Sequence, residues 1–258
     1  MSKMNLSVYG VKNLKRDTNV LSIKIPEALR VRYPTKISWI DDALGGDGFA
    51  ASTVMMLTGT PGAGKTTGLL QIADALTAQG HIALYNTGEE SLYQTALVVE
   101  RLKMKNGFVC GQDTDINEVI KHANDLSKAN PGKKVFLLID SLQTMDDYKW
   151  KDGANSMTAV RVVEMLTGWA KETFNVVIFI GQVTKGGKDF VGKNTILHAI
   201  DVRGHIGIDM EKKSETYGER VFEISKNRFG VSGRAYILGM KSTGLYEKGC
   251  LTQAAAAE

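Results

Sequence analysis

The chain has 258 residues, 43% of them hydrophobic and 23% charged, with a formal net charge of +4. That is enough to bury the core of one α/β domain, and the longest apolar runs, such as Val176-Val177-Ile178-Phe179-Ile180, fall far short of the roughly eighteen residues a membrane span needs. Cys110 and Cys250 have no metal-like spacing, so neither a zinc ribbon nor a disulfide framework is expected. Both read as packing residues of a soluble, cytoplasmic protein with no membrane partner.

Residues 1–35 form a basic N-terminal extension, in which Lys12, Lys15, Arg16, Lys24, Arg30 and Arg32, with Lys36 just beyond, outweigh Asp17 and Glu27. Such an excess fits contact with a phosphate backbone or, equally, a solvated arm packed on a neighbour. From 36 to 250 the pattern is that of one domain. Lys36 to Ser52 reads as a helix bearing Ile37, Ile40 and Leu44, followed by the turn Gly45-Gly46. Apolar runs at 54–58, 82–86, 135–139 and 176–180 have the length of buried strands, and amphipathic stretches at 66–79, 91–104, 115–129 and 157–174 read as helices. The alternation implies an α/β fold, a mainly parallel sheet flanked by helices on both faces. Three short runs follow, at 205–210, 220–225 and 235–240, joined by polar turns and expected as an antiparallel C-terminal extension of that sheet. Residues 251–258 end in a low-complexity alanine stretch and read as a tail, a cloning remnant outside the fold.

Gly59-Thr60-Pro61-Gly62-Ala63-Gly64-Lys65-Thr66, with Thr67 behind it, fits G-x-x-x-x-G-K-[ST] between an apolar strand and an amphipathic helix. Backbone N–H groups can wrap a triphosphate only where a strand turns sharply into a helix N-terminus and no Cβ crowds the approach. The cofactors expected are therefore ATP and Mg²⁺, with Lys65 on the β- and γ-phosphates and Thr66 at the metal. Val135 to Ile139 is a buried run ending in Asp140, which is expected to reach the same metal. Glu89 and Glu90 end another strand, where one can orient the attacking water while the other, or Ser91, caps the next helix; spacing alone does not choose between them.

Gln182 ends a further strand as a candidate γ-phosphate sensor. Behind it lies a glycine-rich basic loop with Lys185, Lys188, Phe190 and Lys193, and a second loop at 146–155 carries Tyr148, Lys149, Trp150 and Lys151. Cations interleaved with aromatics suit single-stranded DNA, whose backbone takes the charge and whose bases stack; an ordinary solvated loop has the same composition. Lys226 and Arg228, two residues apart, lie on one side of an extended chain and are expected to meet a phosphate.

Taken together, Leu44-Gly45-Gly46, the phosphate loop, Gly88-Glu89-Glu90-Ser91, Leu138-Ile139-Asp140-Ser141, Val183-Thr184-Lys185, Leu197-His198 with Asp201, and Lys226-Asn227-Arg228-Phe229-Gly230 occur in the order used by the bacterial RadA (Sms) proteins. The chain resembles the ATPase core of that branch of the RecA/DnaB superfamily over about residues 36–247. The resemblance implies a RecA-like P-loop ATPase that forms a homo-oligomer, a hexameric ring, with Lys226 and Arg228 reaching a neighbour's nucleotide and the two loops facing single-stranded DNA. It also implies ATP-driven translocation or unwinding in recombination, branch migration or replication, beside other proteins of those processes. The four-cysteine zinc module and protease-like domain of that family have no counterpart in these 258 residues; Gln182 stands where histidine is usual, and Phe49-Ala50-Ala51-Ser52 replaces the usual Pro-Gly. Two alternatives stay open: a minimal phage-type recombinase that anneals strands, and a KaiC-like regulatory ATPase, which shares the Glu89-Glu90 pair and binds no DNA.

Overall fold

The computed structural model describes residues 19–150, 154–155, 157–182 and 194–251. Lys12, Lys15, Arg16 and Asp17 of the basic extension, Lys151, Lys185, Lys188, Phe190 and Lys193 of the two loops, and residues 252–258 of the tail lie outside them.

The four apolar runs become the central strands β3 (Val54–Gly59), β4 (Ile82–Thr87), β6 (Val135–Asp140) and β7 (Val176–Ile180). All but Ile82 at the edge of β4 are buried along their whole length, as strands covered on both faces must be. Between them run α2 (Lys65–Ala78), α3 (Leu92–Arg101), α4 (Ile116–Ala129) and α5 (Thr158–Thr173), close to the expected spans. The whole sheet has nine strands in the order β11-β10-β9-β8-β3-β7-β6-β4-β5, where β5 is Val109–Gly111, β8 Val202–Ile208, β9 Arg220–Asn227, β10 Ala235–Lys241 and β11 Gly244–Leu251. One face packs Trp39 and Ile40 of α1 (Ser38–Ala43), Leu69, Ile72 and Leu76 of α2, and Val98 of α3. The other packs Ile116 and Val119 of α4, Val163 and Leu166 of α5, and Ile196 of α6 (Asn194–Ala199).

Three details depart from the sequence reading. The first strand of the C-terminal third, β8, runs parallel to β3 (Met55 opposite Val202, Gly59 opposite Ile206), and only β9, β10 and β11 are antiparallel. The strand β11 was not expected, because Glu247-Lys248-Gly249 breaks its apolar pattern; it is held by β10 and by Gln71 of α2, whose side chain pairs with both the N–H and the C=O of Leu245. Cys250, on this strand, is exposed and not a packing residue, whereas Cys110 is half-buried. At the other end, β1 (Arg32–Tyr33) pairs with β2 (Phe49–Ala50), and the Tyr33 ring packs edge-on against Phe136, 5.7 Å between centroids. The last residues of the basic segment are thus part of the core.

Candidate functional site

The phosphate loop joins β3 to α2 at the carboxyl edge of the parallel strands, where α/β sheets place their ligands. Two glycines are there for steric reasons. A Cβ on Gly59 would lie 1.9 Å from the Ile206 carbonyl oxygen of the adjacent strand. Gly64, the N-cap of α2, has φ +106°, a left-handed conformation that L side chains rarely adopt. The result is a run of backbone in which, among the described residues, the N–H groups of Gly62, Gly64, Lys65 and Thr66 have no protein acceptor. Together with the positive end of the helix, this is an anion cradle. Thr67, behind the loop in α2, is buried.

The cleft above the loop, about 350 Å³, is lined by Gly59, Pro61, Lys65, Thr66, Glu89, Asp140, Ser141, Ile180 and Gln182. These come from the ends of four different strands, β3, β4, β6 and β7. Lys65 donates to the carbonyls of Gly59 (2.9 Å) and Thr60 (3.1 Å). Burial lowers its pKa, partly offset by Asp140 and Glu89. The Asp140 carboxyl is pushed the other way, raised chiefly by burial. Its Oδ2 accepts from Thr66 Oγ1 at 2.7 Å and from the buried Tyr85 phenol at 3.1 Å. Glu89 accepts from Ser141 Oγ at 2.5 Å.

This donor set suits Mg²⁺. Thr66 and Asp140 offer hard oxygens side by side, and a small cation that retains waters and phosphate oxygens asks no more of the protein. No group of three or more His, Cys, Asp or Glu side chains that could hold a metal without phosphate occurs among the described residues.

The two glutamates separate in space. Glu89 faces the cleft; Glu90 is not among its lining residues. The helix cap falls to neither of them: Ser91 Oγ accepts from Gln94 N while Gln94 Oε1 accepts from Ser91 N, a complete capping box. Gln182, two residues beyond the end of β7, also lines the cleft.

Lys226 and Arg228 do not join this cleft. Opposite Arg203 and Gly204 the register of β9 shifts, leaving Ser225 as an extra residue. The bulge turns Lys226 toward the end of α6, where Nζ donates to the Leu197 and Ile200 carbonyls, each at 2.7 Å. Arg228 pairs with Asp201 (3.2 Å) and donates to the His198 carbonyl (2.9 Å). Asp201 in turn accepts from the N–H of Val54, the first residue of β3. Arg228 thus sits at the amino edge of the sheet, level with Val54 and five residues from Gly59, or about 16 Å at ~3.3 Å per residue, and Lys226, level with Met56 by its register, is turned toward the same edge. In the second loop, Tyr148, Lys149 and Trp150 are exposed, and the Tyr148 hydroxyl meets Thr114 at 2.8 Å.

Comparison with known proteins finds relatives over most of the chain. The DNA repair protein RadA of Aquifex aeolicus is 32% identical over 219 residues, 84% of this chain and 46% of that protein. RadA of Brucella abortus is 32% identical over 235 residues, 88% of this chain and 47% of the relative, and RadA of Campylobacter jejuni 31% over 259 residues, 95% and 54%. The chain is similar to the RadA proteins over most of its length. It spans about half the length of the curated relatives it matches. No family model matches the chain. Among solved structures, a DnaB-like replicative helicase described with its primase interactions superposes with a TM-score of 0.72 at 16% identity, covering 84% of this chain and 62% of that one. A solved ATPase domain superposes with a TM-score of 0.73 at 15% identity, covering 84% and 91%. The fold is thus that of RecA/DnaB-like ATPase domains, with an antiparallel C-terminal extension. No helix among the described residues is long and apolar enough to cross a membrane.

Sequence reasoning did not find three residues of the site. Ser141, Tyr85 and Thr87 reach Glu89 and Asp140 from other strands or from inside the sheet, and none stands out by composition. The alternation of β4, which puts Tyr85 and Thr87 on one face, was the signal available for two of them.

Proposed function

We propose that the chain is the motor core of a DNA-dependent ATPase that assembles with copies of itself as a ring and moves along or unwinds single-stranded DNA. The observation that carries this reading is the separation of Lys226 and Arg228 from the phosphate loop of their own chain. That distance keeps both cations off their own chain's nucleotide, which supports their serving a nucleotide held by a second copy. A nucleotide shared between subunits is what a ring-forming motor requires.

In this reading the amides of the phosphate loop and Lys65 bind the triphosphate, while Thr66 and Asp140 hold Mg²⁺ beside it. When bound, the metal neutralises charge on the phosphate oxygens. Glu89 is the base: held by Ser141, it accepts a proton from the water that attacks the γ-phosphorus as the bond to the β-phosphate oxygen breaks, leaving ADP and phosphate. Gln182 contacts the γ-phosphate, and the neighbour's Arg228 stabilises charge on the transferring group. Tyr148, Lys149 and Trp150 are exposed and so accessible to a nucleic-acid strand at that loop. Lys151, Lys185, Lys188, Phe190 and Lys193 are assigned to the same contact from their sequence pattern.

The test is ATP turnover with and without single-stranded DNA, together with strand separation on a forked duplex. Stimulation by DNA and unwinding are expected. Annealing without unwinding would replace the motor by the phage-type recombinase. A rate indifferent to DNA, with no salt-sensitive DNA binding, would favour the KaiC-like alternative.

A further inference from the structure

We infer that Asp201 is a positioning residue that aims Arg228 at the nucleotide of a second copy. The inference rests on the shared-nucleotide reading of Arg228 but not on DNA.

Arg228 lies one residue beyond the end of β9, where the strand no longer orients its side chain. Its backbone N–H donates to the Asp201 carbonyl at 3.1 Å, and the Asp201 N–H donates to the Val54 carbonyl at 2.8 Å, which holds both residues level with the start of β3. The side chains repeat the connection. Asp201 Oδ1 accepts from Arg228 Nη1 at 3.2 Å, while Oδ2 accepts from the Val54 N–H at 3.1 Å. The Asp201 side chain is 5% exposed, and a carboxylate taken that far from water is stable only when paired. The second guanidinium nitrogen, Nη2, donates to the His198 carbonyl of α6 at 2.9 Å. Acceptors on two different elements, one for Nη1 and one for Nη2, fix the plane of the guanidinium, and its other donors stay on a side chain that is 48% exposed. An arginine held in advance loses less freedom when a phosphate arrives. Asp201→Asn perturbs this hold selectively: its side-chain oxygen stays with the Val54 N–H, which needs an acceptor, and its amide nitrogen then faces Arg228 donor to donor.

The experiment measures ATP turnover of Asp201→Asn alone and in equal mixtures with Lys65→Ala and with Arg228→Ala, each mixture shown to contain both chains by co-purification on a tag carried by one of them. Alone, Asp201→Asn is expected to lower kcat about 10²-fold, the cost of a misplaced group, with KM for ATP unchanged. Mixed with Lys65→Ala, it should recover about one quarter of the wild-type rate, since random head-to-tail assembly joins its intact loop to the other chain's intact arginine in that share of sites. Mixed with Arg228→Ala, it should recover nothing, because neither chain presents an aimed arginine. The Asp201→Asn/Arg228→Ala double variant should turn over no more slowly than Arg228→Ala alone. Because Asp201 also holds the first amide of β3, a role confined to that strand predicts the reverse: a damaged phosphate loop, a raised KM, and rescue by Arg228→Ala but not by Lys65→Ala. That pattern, rescue by neither partner, or a wild-type kcat overturns the inference. A control mixture of Lys65→Ala with Arg228→Ala tests the reading beneath it. No recovery there refutes the shared nucleotide itself, whereas recovery there without recovery of Asp201→Asn by Lys65→Ala refutes only the role of Asp201.

Discussion

Arg228→Ala separates the shared-site reading from every single-chain alternative. Within its own chain, Arg228 makes one ion pair to Asp201 and one hydrogen bond to the His198 carbonyl, and its side chain is 48% exposed. Asp201, however, is 5% exposed, so its loss of Arg228 costs more than a surface pair, up to about 3 kcal/mol, eased by the Val54 N–H that Asp201 keeps. A domain stable by about 5 to 15 kcal/mol remains folded without it. The effect on turnover is far larger if the guanidinium meets the transition state on a neighbour: a loss of about 10³- to 10⁵-fold, or roughly 4 to 7 kcal/mol of barrier. ATP binding should survive, since the loop, Lys65 and Asp140 are untouched. The decisive assay mixes Arg228→Ala with Lys65→Ala, each inactive alone. In a mixed assembly, some sites combine an intact loop from one variant with an intact arginine from the other. Random head-to-tail assembly predicts recovery of about one quarter of the wild-type rate at equal mixing. If the arginine worked within its own chain, no mixed site would contain both groups. Absence of recovery in assemblies shown to be mixed would refute the shared site.

Glu89→Gln should reduce turnover about 10²- to 10⁴-fold while ATP stays bound, whereas Glu90→Gln should leave the rate within the same order; a reversed outcome would move the base to Glu90. Replacing Lys185 and Lys188 by alanine should flatten the dependence of log affinity for single-stranded DNA on log salt by about 1.4, two contacts at roughly 0.7 each. Basal hydrolysis should be unchanged, and loss of both together would make that loop structural. Burial against Phe136 and Tyr33, and the nearby Lys134, lower the pKa of His81 below its ordinary 6.5. The unfolded chain therefore takes up this proton first, so stability is lost as pH falls through about 6.5 toward the lower folded value. Melting curves between about pH 7.5 and 5.5 should show a shallower decline for His81→Gln than for wild type; parallel declines would remove His81 as the cause.

What the linear sequence determined was the chemistry that is contiguous along the chain. Gly59 to Thr66 is legible because a phosphate cradle is made by neighbouring amides, and the strand before it and helix after it are written in adjacent periodicities. Asp140 could be read from the end of an apolar run for the same reason. The four central strands and four long helices followed from patterns of apolar residues repeated over several turns or pleats. Tertiary structure decided what depends on register and on distant neighbours. β11 exists only because β10 and Gln71 supply partners for a polar stretch, and β8 is parallel because β3 pairs with it on the far side of the sheet. Glu89 parts from Glu90 because Ser141, 52 residues away, holds one of them at the cleft. A single bulge at Ser225 turns Lys226 onto α6, and the antiparallel path of β9 carries it with Arg228 to the opposite edge from the loop. Sequence spacing places those two cations beside each other, but their distance from the phosphate loop is set by strand order and direction, which no local pattern encodes.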